Sequence, residues 1–196
     1  MRQVLKSTES KIIERKLTYK EGNNDELRQL LADEQHCICA YTETYLGPSD
    51  DAHIEHFNPL LKGNAEDNYN NWFLVKGLWN TRKAKKWSDD QPILHPTAED
   101  LESRIVYNNG DYEPANPNDI EAINLIKLLD LDNARLADQR KRYVRLKKQE
   151  IKDANKSSQQ FLDDLLMSYP EGVYFIRALQ EELQVKVNFD LLEKYD

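Results

Sequence analysis

The feature that most restricts the fold of this chain is a long segment, residues 118–169, that contains neither glycine nor proline. Because these two residues are the strongest breakers of local structure, the segment is predicted to be helical. Leu129-Asp130-Leu131-Asp132 is predicted to divide it, with Asp132 capping a long second helix. Beyond Pro170 we expect two shorter helices. Residues 117–196 are therefore predicted to form a C-terminal helical region.

Residues 1–36 are also predicted to be largely helical. After an extended start, a charged helix is expected to place three apolar residues on one side, namely Ile12, Ile13 and Leu17. Asn23 or Asn24 can cap a second helix that runs to about His36. Its apolar residues have the three-to-four spacing of a buried stripe: Leu27, Leu30 and Leu31.

The segment between these helical regions has a different pattern. His53-Ile54-Glu55-His56-Phe57 alternates polar and apolar residues and is followed by Pro59, which predicts a short strand. A second strand is predicted at Trp72–Lys76 and a helix from about Leu78. Asn109-Gly110 lies between two further strand-like runs and predicts a small β-hairpin. We therefore expect one domain, residues 1–196, with an α+β and mainly helical fold.

Polar side chains suited to phosphodiester cleavage are concentrated around the first predicted strand. Such cleavage requires an activated water and a cation on the scissile phosphate. A hard divalent cation takes few protein ligands, and Glu55 and Asn80 can supply a carboxylate and a neutral oxygen. His56 titrates near neutral pH and can accept the proton of the attacking water. Asn71 is suited to fix a loop or to orient the histidine.

Several of these residues have an alternative interpretation. His53 can be a structural residue, or it can orient the site or contact substrate. Asn80 can cap the N-terminus of its helix instead of binding a metal. Asn71 can be a loop residue without a chemical role.

These residues resemble the HNH nucleases of the ββα-metal fold, in particular the group found with retrons and with Septu-type (PtuB-like) antiphage systems. His53-Ile54-Glu55-His56-Phe57 with Pro59 is the most specific part of the resemblance. It also extends to Met1–Lys6, to the segment from Leu30-Leu31 to Glu43, and to the helical residues Ile123–Arg140. The resemblance implies a ββα-metal core at about residues 37–88, framed by the helical regions 1–36 and 117–196.

The resemblance also implies roles for several site residues. His56 is expected to be the general base and Asn71 the middle Asn of the motif, and we add His53 to the catalytic candidates. Glu55 and Asn80 are the expected ligands of Mg²⁺ or Mn²⁺.

Most relatives in this group carry two cysteine pairs that hold a structural zinc. The corresponding positions here are Cys39, Thr42, Lys76 and Trp79, so one thiolate of four remains. A tetrahedral zinc site cannot be built from one thiolate, and we expect no structural zinc. Burial of Trp79, Tyr41 and Leu78 is expected to provide the stabilisation instead.

The distribution of charge favours nucleic acid as a partner, although the net charge is -8. A basic run adjoins the proposed site and is predicted to contact phosphates: Arg82, Lys83, Lys85 and Lys86. No apolar run approaches the roughly 18 to 20 residues of a membrane span, and no signal peptide is recognisable. Two cysteines one residue apart cannot form a disulfide framework. We expect a cytoplasmic protein that does not bind membranes.

The expected function is that of a metal-dependent HNH endonuclease that cleaves DNA or RNA as the effector of a prokaryotic antiphage system. Two alternatives remain: an HNH-fold subunit that binds nucleic acid or a partner without cleaving, and a purely structural helical adaptor. The resemblance further implies a PtuA-like ATPase as partner and, in some systems, a reverse transcriptase with its non-coding RNA. The helices outside the core are the expected docking surface.

Overall fold

The computed structural model describes residues 1–192. Helices make up 45% of the chain and the strands form two small antiparallel hairpins, so the fold is α+β and mainly helical, as predicted. The α-helices are α1 Lys11–Glu14, α2 Asp25–Glu34, α3 Gly77–Ala84, α4 Leu101–Arg104, α5 Ile120–Leu128, α6 Ala134–Ala154, α7 Ser158–Ser168 and α8 Ile176–Leu183. The strands are β1 Ala52–His56, β2 Trp72–Lys76, β3 Ile105–Asn108 and β4 Asp111–Pro114.

The first hairpin and the helix after it lie where the sequence predicted two strands and a helix. β1 and β2 are antiparallel, with His53 opposite Val75 and Glu55 opposite Phe73. A loop with two short 3₁₀ turns, Pro59–Leu61 and Tyr69–Asn71, connects them. Helix α3 follows β2 without a linker and its N-cap residue is Lys76. Asn80 lies inside this helix, which excludes the alternative that it caps the N-terminus.

The second hairpin turns at Asn109-Gly110, as predicted. Both residues have positive φ, 45° and 89°, which is the backbone conformation that a two-residue hairpin turn of this type requires.

The C-terminal helices differ from the prediction in three places. The division after α5 is where we expected it, but the cap of α6 is Asn133, whose side chain accepts hydrogen bonds from the backbone N–H groups of Arg135 and Leu136. Asp132 is one residue too early to reach them. A second break follows at Asn155, which adopts a left-handed conformation with φ of 53°, before Ser157 caps α7. After Pro170 the described residues contain one α-helix, α8, and a 3₁₀ turn at Phe189–Leu191 instead of the second predicted helix.

The N-terminal region also departs from the prediction in part. Helix α1 is a single turn that ends before Leu17; Ile12 is buried and Ile13 is 45% exposed, so the prediction that the three apolar residues share one side of a helix is wrong. In α2 the predicted stripe of Leu27, Leu30 and Leu31 is buried. Asn24 occupies the N-cap position, but its side chain binds the backbone of Lys20 rather than the helix.

The buried side chains form two apolar clusters. The first includes Trp72 and Phe73 of β2 together with Leu31 of α2 and residues of α5. The second joins α6, α7 and α8 to Ile38 and Tyr45. Because apolar burial is the main stabilising term in folding, the first cluster holds the β1–β2 hairpin in place. None of the helices in residues 1–192 is long and apolar enough to cross a membrane.

Candidate active site

A cavity of about 320 Å³ lies against strand β1 and helix α3. Five of the residues that the sequence predicted as functional line it: His53, Glu55, His56, Asn80 and Lys83. His53 and Glu55 are two residues apart on β1 and so share one side of the strand, and His56 is the last residue of that strand. Asn80 and Lys83 are three residues apart on α3 and so share one side of the helix.

His56 is buried beside a carboxylate. Its Nε2 lies 3.0 Å from Asp67 Oδ2, and both side chains are less than 10% exposed. The two atoms are within hydrogen-bonding distance but do not have the alignment of a hydrogen bond. Burial lowers the pKa of His56 below its ordinary value, and the charge of Asp67 opposes that shift. The imidazole is therefore favoured in its neutral form, which can accept a proton.

Asp67 belongs to the site but was not identified from the sequence. Its Oδ1 accepts hydrogen bonds from Asn71 Nδ2 at 2.9 Å and from Trp72 Nε1 at 2.7 Å. The carboxylate therefore links His56 to the start of β2. Nothing local distinguishes it from the neighbouring Glu66, because both acids lie in the same polar connection before β2.

Asn71 closes the loop between the strands and does not line the cavity. Its Oδ1 accepts from the backbone N–H of Asn58 at 2.7 Å, and its Nδ2 donates to the Asn58 carbonyl at 3.1 Å as well as to Asp67. Asn71 thus holds both ends of the loop that carries Asp67. A direct role in catalysis stays a prediction.

Glu55 forms a buried ion pair with Lys83. Their side chains are 5% and 1% exposed, and Lys83 Nζ also donates to the backbone carbonyl of His56 at 2.9 Å. Burial raises the pKa of Glu55 and lowers that of Lys83, while the charge of each partner opposes the shift of the other. Lys83 is therefore tied to the predicted metal ligand rather than free in solvent.

The donor atoms at the cavity fit a hard divalent cation. Glu55 supplies a carboxylate and Asn80 an amide, and Nδ1 of His53 lies 3.4 Å from Asn80 Nδ2. Such a cation binds few protein groups and keeps several waters. Lys83 competes for the same carboxylate. Among residues 1–192 no group of three or more His, Cys, Asp or Glu side chains is arranged to hold a metal ion, so binding here would depend on the amide and on water.

Comparison of the chain with protein-family models, with curated proteins and with solved structures finds no match. The resemblance to HNH nucleases therefore remains an interpretation of the residues.

The predicted basic run is partly neutralised within the protein. Arg82 Nη1 lies 3.9 Å from Asp130 Oδ2, and Lys86 forms an ion pair with the same carboxylate. Lys85 is exposed and Lys83 is buried. Contact of this run with phosphates stays a prediction, and Arg82, Lys85 and Lys86 have the exposure that it needs.

Three of the four positions that correspond to the zinc ligands, Thr42, Lys76 and Trp79, line one cavity beside α3. Cys39 Sγ accepts a hydrogen bond from the backbone N–H of Lys76 at 3.4 Å. Trp79 and Tyr41 are buried, as predicted for a core without zinc. Leu78 is 59% exposed, so the prediction that it contributes to this core is wrong. It lies on the side of α3 that points away from the apolar clusters.

Proposed function

We propose that this chain is a metal-dependent HNH endonuclease with a ββα-metal core, which cleaves DNA or RNA as the effector of a prokaryotic antiphage system. The observation that supports the proposal is that Glu55, His56 and Asn80 line one cavity, although they come from a strand and from a helix more than twenty residues later. A nuclease of this kind needs a base and a cation site at one place.

In the proposed reaction His56 is the general base. Because Nε2 faces Asp67, the other ring nitrogen, Nδ1, accepts the proton of the attacking water. The negative charge of Asp67 then stabilises the imidazolium that forms. Asn71 holds the loop that positions Asp67, so it acts on the reaction through its contacts rather than by touching the substrate.

Glu55 and Asn80, with His53 beside them, are the proposed ligands of Mg²⁺ or Mn²⁺. When bound, the cation supplies positive charge at the scissile phosphate and at the leaving oxygen. For Glu55 to act as a ligand, at least one of its carboxylate oxygens must be directed at the cation rather than at Lys83. Lys83 and the exposed Lys62 at the same cavity are then available for substrate phosphates.

The proposed partners follow from the resemblance to HNH nucleases alone. A PtuA-like ATPase, and in some systems a reverse transcriptase with its non-coding RNA, would dock on the helices of residues 1–36 and 117–196. The proposed compartment is the cytoplasm.

The buried Glu55–Lys83 pair favours a second candidate function. The ammonium group of Lys83 neutralises the buried carboxylate of Glu55, so this carboxylate needs no metal ion as a counter-charge. Such an arrangement fits an HNH-fold subunit that binds nucleic acid or a partner without cleaving it.

Incubation of the purified chain with DNA and RNA in Mg²⁺ or Mn²⁺ tests the first function. We expect cleavage, and His56→Ala should reduce it by about 10² to 10⁴, the usual contribution of a general base. Because His56 is buried, His56→Gln provides a second variant that disturbs the packing less. His36→Ala is the matched control, since that histidine stacks on Phe189 away from the cavity.

The assay also separates the candidates. Absence of cleavage of every substrate, or equal rates for wild type and both His56 variants, would refute the nuclease. A gel shift by the His56→Ala protein would then support the binding subunit, and its absence would leave a structural role.

A further inference from the structure

A second cavity of about 450 Å³ lies on the opposite side of helix α3. Asn80 and Lys83 face the candidate active site, whereas Leu78, Trp79 and Arg82 line this second cavity. The rest of the lining comes from Lys76 at the end of β2, from the beginning of α6, and from Thr42, Thr44 and Phe175. One helix, about 10–12 Å across with its side chains, therefore separates the two cavities.

The second cavity is positively charged. The charged side chains that line it are Lys76, Arg82 and Arg135, and no acidic side chain lines it. Lys76 Nζ lies 3.2 Å from Asp50 Oδ1, and Arg82 Nη1 lies 3.9 Å from Asp130 Oδ2. These two carboxylates balance part of the positive charge. Within residues 1–192 Arg135 forms no ion pair. This concentration of cations contrasts with the net charge of -8.

The cavity also offers an apolar and planar surface. The guanidinium of Arg82 lies 4.8 Å from the centre of the Trp79 ring, and Leu78 exposes 59% of its surface beside them. Nucleic-acid bases stack on aromatic rings and on guanidinium planes. Thr42 and Thr44 also line the cavity, and their hydroxyl groups are hydrogen-bonded to each other at 2.8 Å, so the one that accepts this bond keeps its own proton to donate elsewhere.

We propose that this cavity binds one nucleotide of a single-stranded nucleic acid, with its phosphate at Arg135 and its base against Arg82 and Leu78. The inference rests on the proposed function, because the strand would continue across α3 into the candidate active site. An acidic peptide fits the observations less well, since it would use the cations and leave Leu78 and the stacked Arg82 uncovered.

The test measures binding of a short fluorescein-labelled single-stranded oligonucleotide by anisotropy, at several salt concentrations, to the full chain carrying His56→Ala. Arg135→Glu should weaken binding about tenfold and reduce the slope of log K against log salt by about one. Leu78→Ala should weaken binding at an unchanged slope, because it removes an apolar contact. The matched control is Arg145→Glu, the same charge reversal on an exposed residue of α6 that does not line the cavity.

Equal loss of affinity in Arg135→Glu and Arg145→Glu would show a general charge effect and overturn the proposal. It would also be overturned by unchanged affinity in Arg135→Glu, or by an acidic peptide that displaces the oligonucleotide in wild type but not in Arg135→Glu. Cleavage is measured separately with His56 intact. If this protein does not cleave but Arg135→Glu weakens binding, the nuclease proposal is refuted and the nucleotide site stands. If it cleaves but Arg135→Glu leaves binding unchanged, the nucleotide site is refuted and the nuclease proposal stands.

Discussion

Replacing Asp67 with asparagine tests whether this carboxylate positions the general base. The substitution keeps the shape of the side chain and removes its charge. In the wild type, Oδ1 accepts from Trp72 Nε1 at 2.7 Å and from Asn71 Nδ2 at 2.9 Å, and Oδ2 faces His56 at 3.0 Å. In the variant the amide oxygen can keep both donors, but an NH₂ group then faces His56. The ring must present an unprotonated nitrogen to that group, which reverses its tautomer.

The expected loss of stability follows from the two hydrogen bonds. A hydrogen bond to a charged group contributes about 1.5–3 kcal/mol and a neutral one about 0.5–1.5 kcal/mol, so each bond loses about 1–1.5 kcal/mol and the two together should lower the free energy of unfolding by about 2–3 kcal/mol. For a chain of this length each kcal/mol shifts Tm by about 2–4 °C, which gives a fall of about 4–12 °C. The cleavage rate should also fall, at most by the full contribution of a general base, a factor of about 10² to 10⁴.

Thermal melting and urea denaturation measure the stability, and the nicking assay measures the rate. The ¹⁵N chemical shifts of His56 report its tautomer, a signal that a purely structural role of Asp67 would not change. Glu66→Gln is the matched control, because it removes the same charge from an exposed neighbour. An Asp67→Asn protein with the tautomer and the rate of wild type would refute the positioning role.

Three further predictions concern metals and pH. Glu55→Gln and Asn80→Ala should each weaken activation by Mg²⁺ or Mn²⁺, since a site with so few protein ligands cannot lose one; an unchanged metal titration would remove that residue from the site. The purified protein should contain no stoichiometric zinc, and EDTA should abolish cleavage without lowering Tm; one zinc per chain, or a large melting shift on chelation, would contradict this. Burial lowers the pKa of Lys6 to about 7, whereas a lysine in an unfolded chain titrates near 10.4. The unfolded chain therefore binds more protons above pH 7, and the free energy of unfolding should rise between pH 7 and 10 by at most about 4 kcal/mol from this residue. Urea denaturation of Lys6→Met should show a smaller rise, and an equal rise would contradict the assignment.

The sequence by itself determined the elements whose signals are local. Alternation along His53–Phe57 with a proline after it, an Asn-Gly turn, and leucines at helical spacing in α2 each depend on neighbours in the chain. The structure has a strand, a hairpin and a helix at these three places. The sequence also indicated which side chains have the chemistry for cleavage, because residue type alone decides what a carboxylate, an amide or an imidazole can do.

Tertiary structure decided which side chains are buried together. Asp67 and Glu66 are equivalent in sequence, and only the packing of the loop against Trp72 brings one of them to His56. The ion pair between Lys83 and Glu55 joins helix α3 to strand β1, so no local sequence pattern predicts it. Likewise, Ile13 and Leu78 are apolar yet exposed, because a single-turn helix and the outer side of α3 give them nothing to pack against. Burial and ion pairing depend on distances between segments, and these are set only when the whole chain has folded.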